Sequence, residues 1–199
     1  WIALQCVDTL RAAGHDVLVV ATEMPAEQLH DRLLCLAARI DFHAYLDRTL
    51  SHAQRFAVGV APLNLASWGE VHFFTPAGAG DRALAEVRSE IQRLNVDGRL
   101  GLVLWDGHYR SAKSTEWEDV YDLVRKTRAL ALDPALGRVP LLLTTQEGSK
   151  RGSSAYRAYE EEAAAIIHLQ REGGNRSRLT VQAIRQGHEC ELMLAFDVS

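Results

Sequence analysis

Apolar positions along the chain fall into short continuous runs and into stripes of helical period. Residues 17–21 are apolar and mostly β-branched, so they predict a short strand buried on both faces. The same kind of pattern predicts further strands at residues 70–75, 100–106, 139–144 and 164–169. Residues 179–184 and 191–196 flank a polar turn at residues 185–188, and they predict a closing β-hairpin.

Helical stripes separate these strands. One helix with a single apolar face is predicted by apolar residues that recur at helical spacing, namely Leu84, Val87, Ile91 and Leu94. Other helices are predicted at residues 2–13, 27–40 and 116–131. The segment 41–66 is less regular, and there we expect a helix over residues 51–58 followed by an irregular loop that ends near residue 63.

Composition narrows the class of protein. The 199 residues are 47% apolar and 24% charged, as in an ordinary globular domain, and no apolar run reaches the ~20 residues that span a bilayer. With no signal-peptide pattern among these residues, we expect a cytoplasmic protein with no membrane partner. The formal net charge of −4 argues against a general coat for nucleic acid, although it permits a local basic groove. Cys6, Cys35 and Cys190 match no zinc spacing and are expected to be free, buried thiols.

Acidic and polar side chains follow three of the predicted strands. Glu23 comes directly after strand 17–21, at the edge where open α/β sheets bind ligands, and Pro25 then suits the first turn of a helix. Asp106 ends strand 100–106, and Gln146 follows strand 139–144. A strand that merely ends in Asp, or a Gln that faces solvent, remains an alternative explanation of the last two residues.

The stretch VLVVATEMPAEQLHDRLLCLAARI resembles the strand, Glu-Met and helix segment of DnaB-type replicative hexameric DNA helicases. The resemblance extends in order over nearly the whole chain, except for residues 41–67. It implies an α/β, RecA-like three-layer core with a mostly parallel sheet and a C-terminal β-hairpin. It also implies that Glu23 activates the water that attacks ATP, that Asp106 holds Mg²⁺, and that Gln146 senses the terminal phosphate.

The resemblance also implies roles for cationic residues. IRQGHECELMLAFD is similar to the closing hairpin of that family, and it gives Arg185 the place of an arginine finger that reaches the neighbouring subunit's nucleotide. A lysine of the family falls on Ala183, so one of two expected cations is absent. The loops with Arg110, Lys113, Lys150 and Arg151 are expected to contact single-stranded DNA. A homo-oligomer, by analogy a hexamer, and a helicase loader or primase are the expected protein partners.

One expected motif is not in the sequence. The phosphate-binding loop G-x-x-x-x-G-K-[ST] does not occur in residues 1–199, and the resemblance places it just before Trp1. We therefore expect residues 1–199 to be a single RecA-like ATPase domain that starts just after this loop. The alternatives are another RecA-like ATPase of recombination or repair, or a non-catalytic, degenerate helicase-like subunit that has lost the loop.

Overall fold

Four parallel strands form the centre of the fold. The structure, a computed structural model, describes residues 2–65, 69–113, 117–145, 154–173, 176–183 and 190–195. The central strands are β1 (Asp16–Ala21), β2 (Val71–Phe74), β3 (Leu100–Asp106) and β4 (Leu141–Leu143). They lie in the order β2-β1-β3-β4, and each neighbouring pair is parallel.

Helices precede, follow and connect these strands. They are α1 (Ile2–Ala12), α2 (Ala26–Ala38), α3 (Phe42–Leu46), α4 (His52–Leu65), α5 (Asp81–Leu94), α6 (Trp117–Leu132) and α7 (Ser154–Glu162). Two short 3₁₀ turns lie at His108–Ser111 and Pro134–Leu136. The described helices α1, α2 and α6 therefore match the predicted helices to within one or two residues, and α5 contains its whole predicted stripe.

The central sheet is covered on both faces, which explains the continuous apolar runs. Val17 and Val19 of β1 pack with α1 and α2, whereas Leu18 and Val20 point the other way, into a cluster with α5. All four side chains are fully buried, and each such burial stabilises the fold by about 1.5–3 kcal/mol. The result is a helix–sheet–helix core, which confirms the three-layer α/β architecture.

A second sheet holds the C-terminal strands. It consists of β5 (Ala165–Gly173), β6 (Arg176–Ala183) and β7 (Cys190–Ala195), in the order β5-β6-β7, with both pairs antiparallel. The β6–β7 pair confirms the predicted closing hairpin. The expectation that residues 164–169 are a buried strand is only half right, because Ile167 and Leu169 are 50% and 53% exposed while Ile166 packs inward.

Two other expectations were wrong. Residues 41–65 are more helical than predicted: the Asp41 side chain caps α3 by accepting from the Ala44 N–H, and α4 runs through Gly59 and Pro62 to Leu65. Glycine and proline disfavour helix interiors, but the packing of α4 against α2 outweighs that preference here. Cys6 is exposed, since it lies off the face through which Val7 enters the core.

No helix in the described part of the chain is both long enough and apolar enough to cross a membrane.

Candidate functional site

The carboxyl ends of β1 and β3 lie side by side and carry the first two predicted site residues. Ala21, the last residue of β1, is in register with Asp106, the last residue of β3. The Thr22 N–H donates to the Asp106 carbonyl at 3.2 Å, and the Thr22 hydroxyl also contacts the Asp106 and Gly107 carbonyls. These bonds hold the segment that leads to Glu23 against the turn that follows Asp106.

Gly107 makes room for Glu23. Its φ of +68° lies in the left-handed region, which favours glycine. A Cβ atom at this position would lie 2.5 Å from the Glu23 Cβ and 3.1 Å from Glu23 Oε2. The Glu23 side chain therefore packs directly on the turn after Asp106.

Within the described residues, the Asp106 carboxylate is held through one of its two oxygens. Its Oδ1 accepts a hydrogen bond from the Thr144 hydroxyl at 2.9 Å, and that hydroxyl in turn accepts one from the Gly107 N–H at 2.9 Å. Asp106 Oδ2 is shielded from solvent, yet within the described residues no hydrogen bond reaches it. A buried carboxylate oxygen without a partner is costly, so this atom calls for a ligand such as a metal ion or a metal-bound water.

Magnesium fits this donor better than a transition metal does. Mg²⁺ binds through one or two carboxylates and keeps several waters or substrate oxygens as its other ligands. No group of three or more His, Cys, Asp or Glu residues is placed to hold a metal anywhere in the described ranges, so nothing there resembles a zinc site. Asp106 would hold Mg²⁺, directly or through water.

Of the four cations expected to meet DNA, Arg110 and Lys113 are described. The Arg110 guanidinium lies 3.5 Å from Glu23 Oε1 and is half-exposed. The Lys113 side chain instead packs over Gly80, and its Nζ lies 3.7 Å from an oxygen of Asp81. The pKa of Asp81 is lowered chiefly by its hydrogen bond to Lys126. The two cations therefore contact different acidic partners, and only Arg110 belongs to the Glu23–Asp106 site.

The remaining predicted site residues lie outside the described ranges. They are Gln146, Lys150, Arg151 and Arg185. Their roles stay predictions.

His108 is a buried site neighbour that the sequence did not reveal. Its Nδ1 lies 3.0 Å from the Tyr159 hydroxyl, and its Nε2 lies 2.9 Å from the Thr127 hydroxyl. Burial lowers the pKa of His108 from 6.5 to about 3, so the ring is neutral at physiological pH. Because its partners are 19 and 51 residues away along the chain, no local pattern could have indicated this network.

Thr22, Gly107 and Thr144 were also missed. Each directly follows a predicted strand or ends one, so the signal was present, but small polar residues at strand ends are too common to be singled out.

No protein-family model and no curated protein matches the sequence. The fold, however, is similar to solved structures. One is an ATPase domain, matched at 17% identity with a TM-score of 0.76 over 98% of this chain and 75% of that one. Another is a DnaB-like replicative helicase, solved in a study of its interactions with primase, with 17% identity and a TM-score of 0.73. The match covers 94% of this chain and 50% of the helicase. The chain therefore has a RecA-like α/β fold, similar to the ATPase domains of DnaB-like helicases.

Proposed function

We propose that this chain is the motor domain of an ATP-dependent DNA helicase of the DnaB type. The observation that carries the proposal is the pairing of Glu23 and Asp106 at one rim of a parallel sheet, with Asp106 Oδ2 buried and in need of a ligand. The fold supports the same class of protein. Unrelated functions share this kind of fold, so the residues of the site carry the proposal.

Phosphoryl transfer to water needs few groups from a protein, mainly positioning and charge stabilisation. Glu23 would orient the attacking water and accept its proton, at a carboxylate that Gly107 and Arg110 hold in place. Asp106 would hold Mg²⁺, which when bound supplies positive charge next to the phosphate oxygens. Gln146 would contact the terminal phosphate of ATP.

The rest of the machinery lies beyond the described site. We propose that residues 1–199 form one ATPase domain, which would act together with a phosphate-binding loop of the type G-x-x-x-x-G-K-[ST]; this motif does not occur in residues 1–199. Arg185 would act across a subunit interface in a cytoplasmic homo-oligomer, a hexamer by family analogy, which a loader or primase would bind. Single-stranded DNA would pass Arg110, Lys113, Lys150 and Arg151, and binding through them would weaken with salt.

The decisive experiment is Mg²⁺-dependent ATP hydrolysis by the complete gene product, with Glu23→Gln as the test variant. The amide keeps the shape of the side chain but cannot accept the proton, so kcat should fall about 10²–10⁴-fold while ATP binding persists. Glu70→Gln is the matched control, because Glu70 precedes β2 at the opposite end of the sheet and its side chain is 76% exposed.

Each other result has a definite meaning. Turnover by Glu23→Gln at the wild-type rate would remove Glu23 from its role. Wild-type protein that binds no ATP with Mg²⁺ would refute the motor and favour the non-catalytic subunit. An active ATPase that pairs DNA strands but does not unwind a forked duplex would be a recombination-type RecA-like ATPase.

A further inference from the structure

The turn after Asp106 is attached to two helices through His108, which the proposed mechanism does not use. His108 is completely buried, and it begins the 3₁₀ turn two residues after Asp106. Its ring joins Thr127 on α6 to Tyr159 on α7. We propose that His108 is a positioning residue, which fixes the turn beneath Asp106 and Glu23 to α6 and α7, so that the seating of α7 sets the placement of both carboxylates.

The backbone and the side chain of His108 are anchored to different parts of the molecule. Its N–H donates to the Thr144 carbonyl at 3.1 Å, next to the Thr144 hydroxyl that holds Asp106 Oδ1. Its ring makes T-shaped contacts with the rings of Trp105 and Tyr159, with centroid separations of 4.9 and 5.8 Å. Any shift of the ring must therefore move the turn or break these contacts.

Both ring nitrogens of His108 need a hydrogen-bond partner, which constrains the position of the ring. A neutral imidazole has one N–H and one acceptor nitrogen, so one of the two hydroxyls accepts from the ring and the other donates to it. Because the His108 side chain is completely buried, an imidazole nitrogen that lost its partner would be left buried and unsatisfied. The ring therefore follows α7 when α7 moves.

Helix α7 is packed on α6 through the same region. Ala158 and Tyr159 of α7 are buried in one cluster with Val120, Leu123 and Val124 of α6. Arg128 of α6 also bonds Glu162 at the end of α7, at 2.8 Å. Tyr159 is thus part of the α6–α7 interface and also a hydrogen-bond partner of His108 in the turn. It therefore connects the position of α7 to the positions of the Glu23 and Asp106 carboxylates.

The test removes one hydroxyl at a time and reads the turn directly. Tyr159→Phe and Thr127→Val each remove one partner of the ring with little change in shape. Amide hydrogen exchange is measured at Gly107, His108 and Arg110, whose N–H groups bond to Thr144 or within the turn. We expect exchange at these amides to become about tenfold faster in both variants.

Asn95→Ala is the matched control. Asn95 bonds the Leu136 carbonyl and the Leu100 N–H at the amino end of β3, so its loss also destabilises the fold but at the far end of the strand. Exchange at the three turn amides should follow global stability alone in this variant. If exchange at these three amides is as slow in Tyr159→Phe and Thr127→Val as it is in Asn95→Ala, the hydrogen bonds of the His108 ring do not hold the turn and the proposal is overturned.

The catalytic consequence rests on the proposed function, and hydrolysis tests it separately. In the complete gene product, Tyr159→Phe should lower kcat about fivefold with KM for ATP unchanged, whereas Asn95→Ala should leave both unchanged. Equal losses in both variants would show a merely structural role and overturn the positioning role. Wild-type protein without ATPase activity would refute the proposed function, while the exchange result would still decide whether His108 holds the turn.

Discussion

At the scale of single residues, the site depends on a position without a side chain. Glu23 can lie on the turn after Asp106 only because Gly107 has no Cβ. The glycine is also needed for its backbone, since its φ is +68°. Two separate physical demands therefore meet at one residue, and a substitution can distinguish them.

Gly107→Ala should reduce the free energy of unfolding by the left-handed backbone penalty of about 1 kcal/mol and by about 1–3 kcal/mol more for the clash with Glu23. Gly98→Ala is the control, because Gly98 has the same φ of +68° but open space around its Cβ position. Urea unfolding of both variants measures the difference. Equal losses would mean that Glu23 moves aside freely and is not held by the turn.

At the scale of elements, the candidate site is a property of strand ends. Glu23 follows β1 by two residues and Asp106 ends β3, and the parallel register of these strands puts both residues at one rim. The hydroxyl of Thr144, the residue after β4, then bonds the Asp106 carboxylate and so connects it to β4. The buried His108 extends this arrangement to α6 and α7, and its burial has a consequence for stability.

We expect acid to weaken the fold through His108. Its pKa is about 3 when folded and 6.5 when exposed, so only the unfolded chain takes up a proton between these values. The contribution of His108 to the free energy of unfolding is therefore complete above pH 6.5 and is lost as the pH falls towards 3. By pH 5 the free energy of unfolding has fallen by about 2 kcal/mol. Urea unfolding at pH 7 and pH 5 measures this loss, and His108→Gln should reduce it. Identical pH profiles for the two proteins would contradict the assignment.

Elements also show where tertiary contacts replaced local preference. Gly59 and Pro62 suggest a break, yet α4 continues past both because it packs on α2. β5 is a strand as predicted, but one of its faces is exposed at Ile167 and Leu169. An apolar pattern in the sequence does not say whether another element will pack on each face of a strand.

At the scale of the whole molecule, the fold is similar to part of a DnaB-like replicative helicase, and the chain spans about half the length of that protein. The proposed site needs groups from outside the described residues: a phosphate-binding loop, Gln146, and Arg185 from a neighbouring subunit. Activity should then belong to an assembly, and mixing of variants can test this.

Arg185→Ala should lower kcat by about 10³–10⁵-fold, the usual effect of losing an arginine finger. If Arg185 acts in trans, mixing this variant with Glu23→Gln should restore part of the activity, because some interfaces then combine an intact Glu23 with an intact Arg185. The measurement is ATP hydrolysis by the mixture compared with each variant alone. Activity no greater than the sum of the two would place Arg185 in a local role.

The family resemblance implied the three-layer core, whereas the sequence by itself determined the alternation of strands and helices and the position of Glu23 and Asp106 at strand ends. It could do so because burial on two faces, helical periodicity and the polarity at the end of a strand are local properties of the chain. Only the tertiary structure decided that Arg110 pairs with Glu23, that Thr144 holds Asp106, and that His108 is neutral and joins three elements. Those pairings join residues between 19 and 87 positions apart, and their energies depend on burial and distance, which no local pattern encodes.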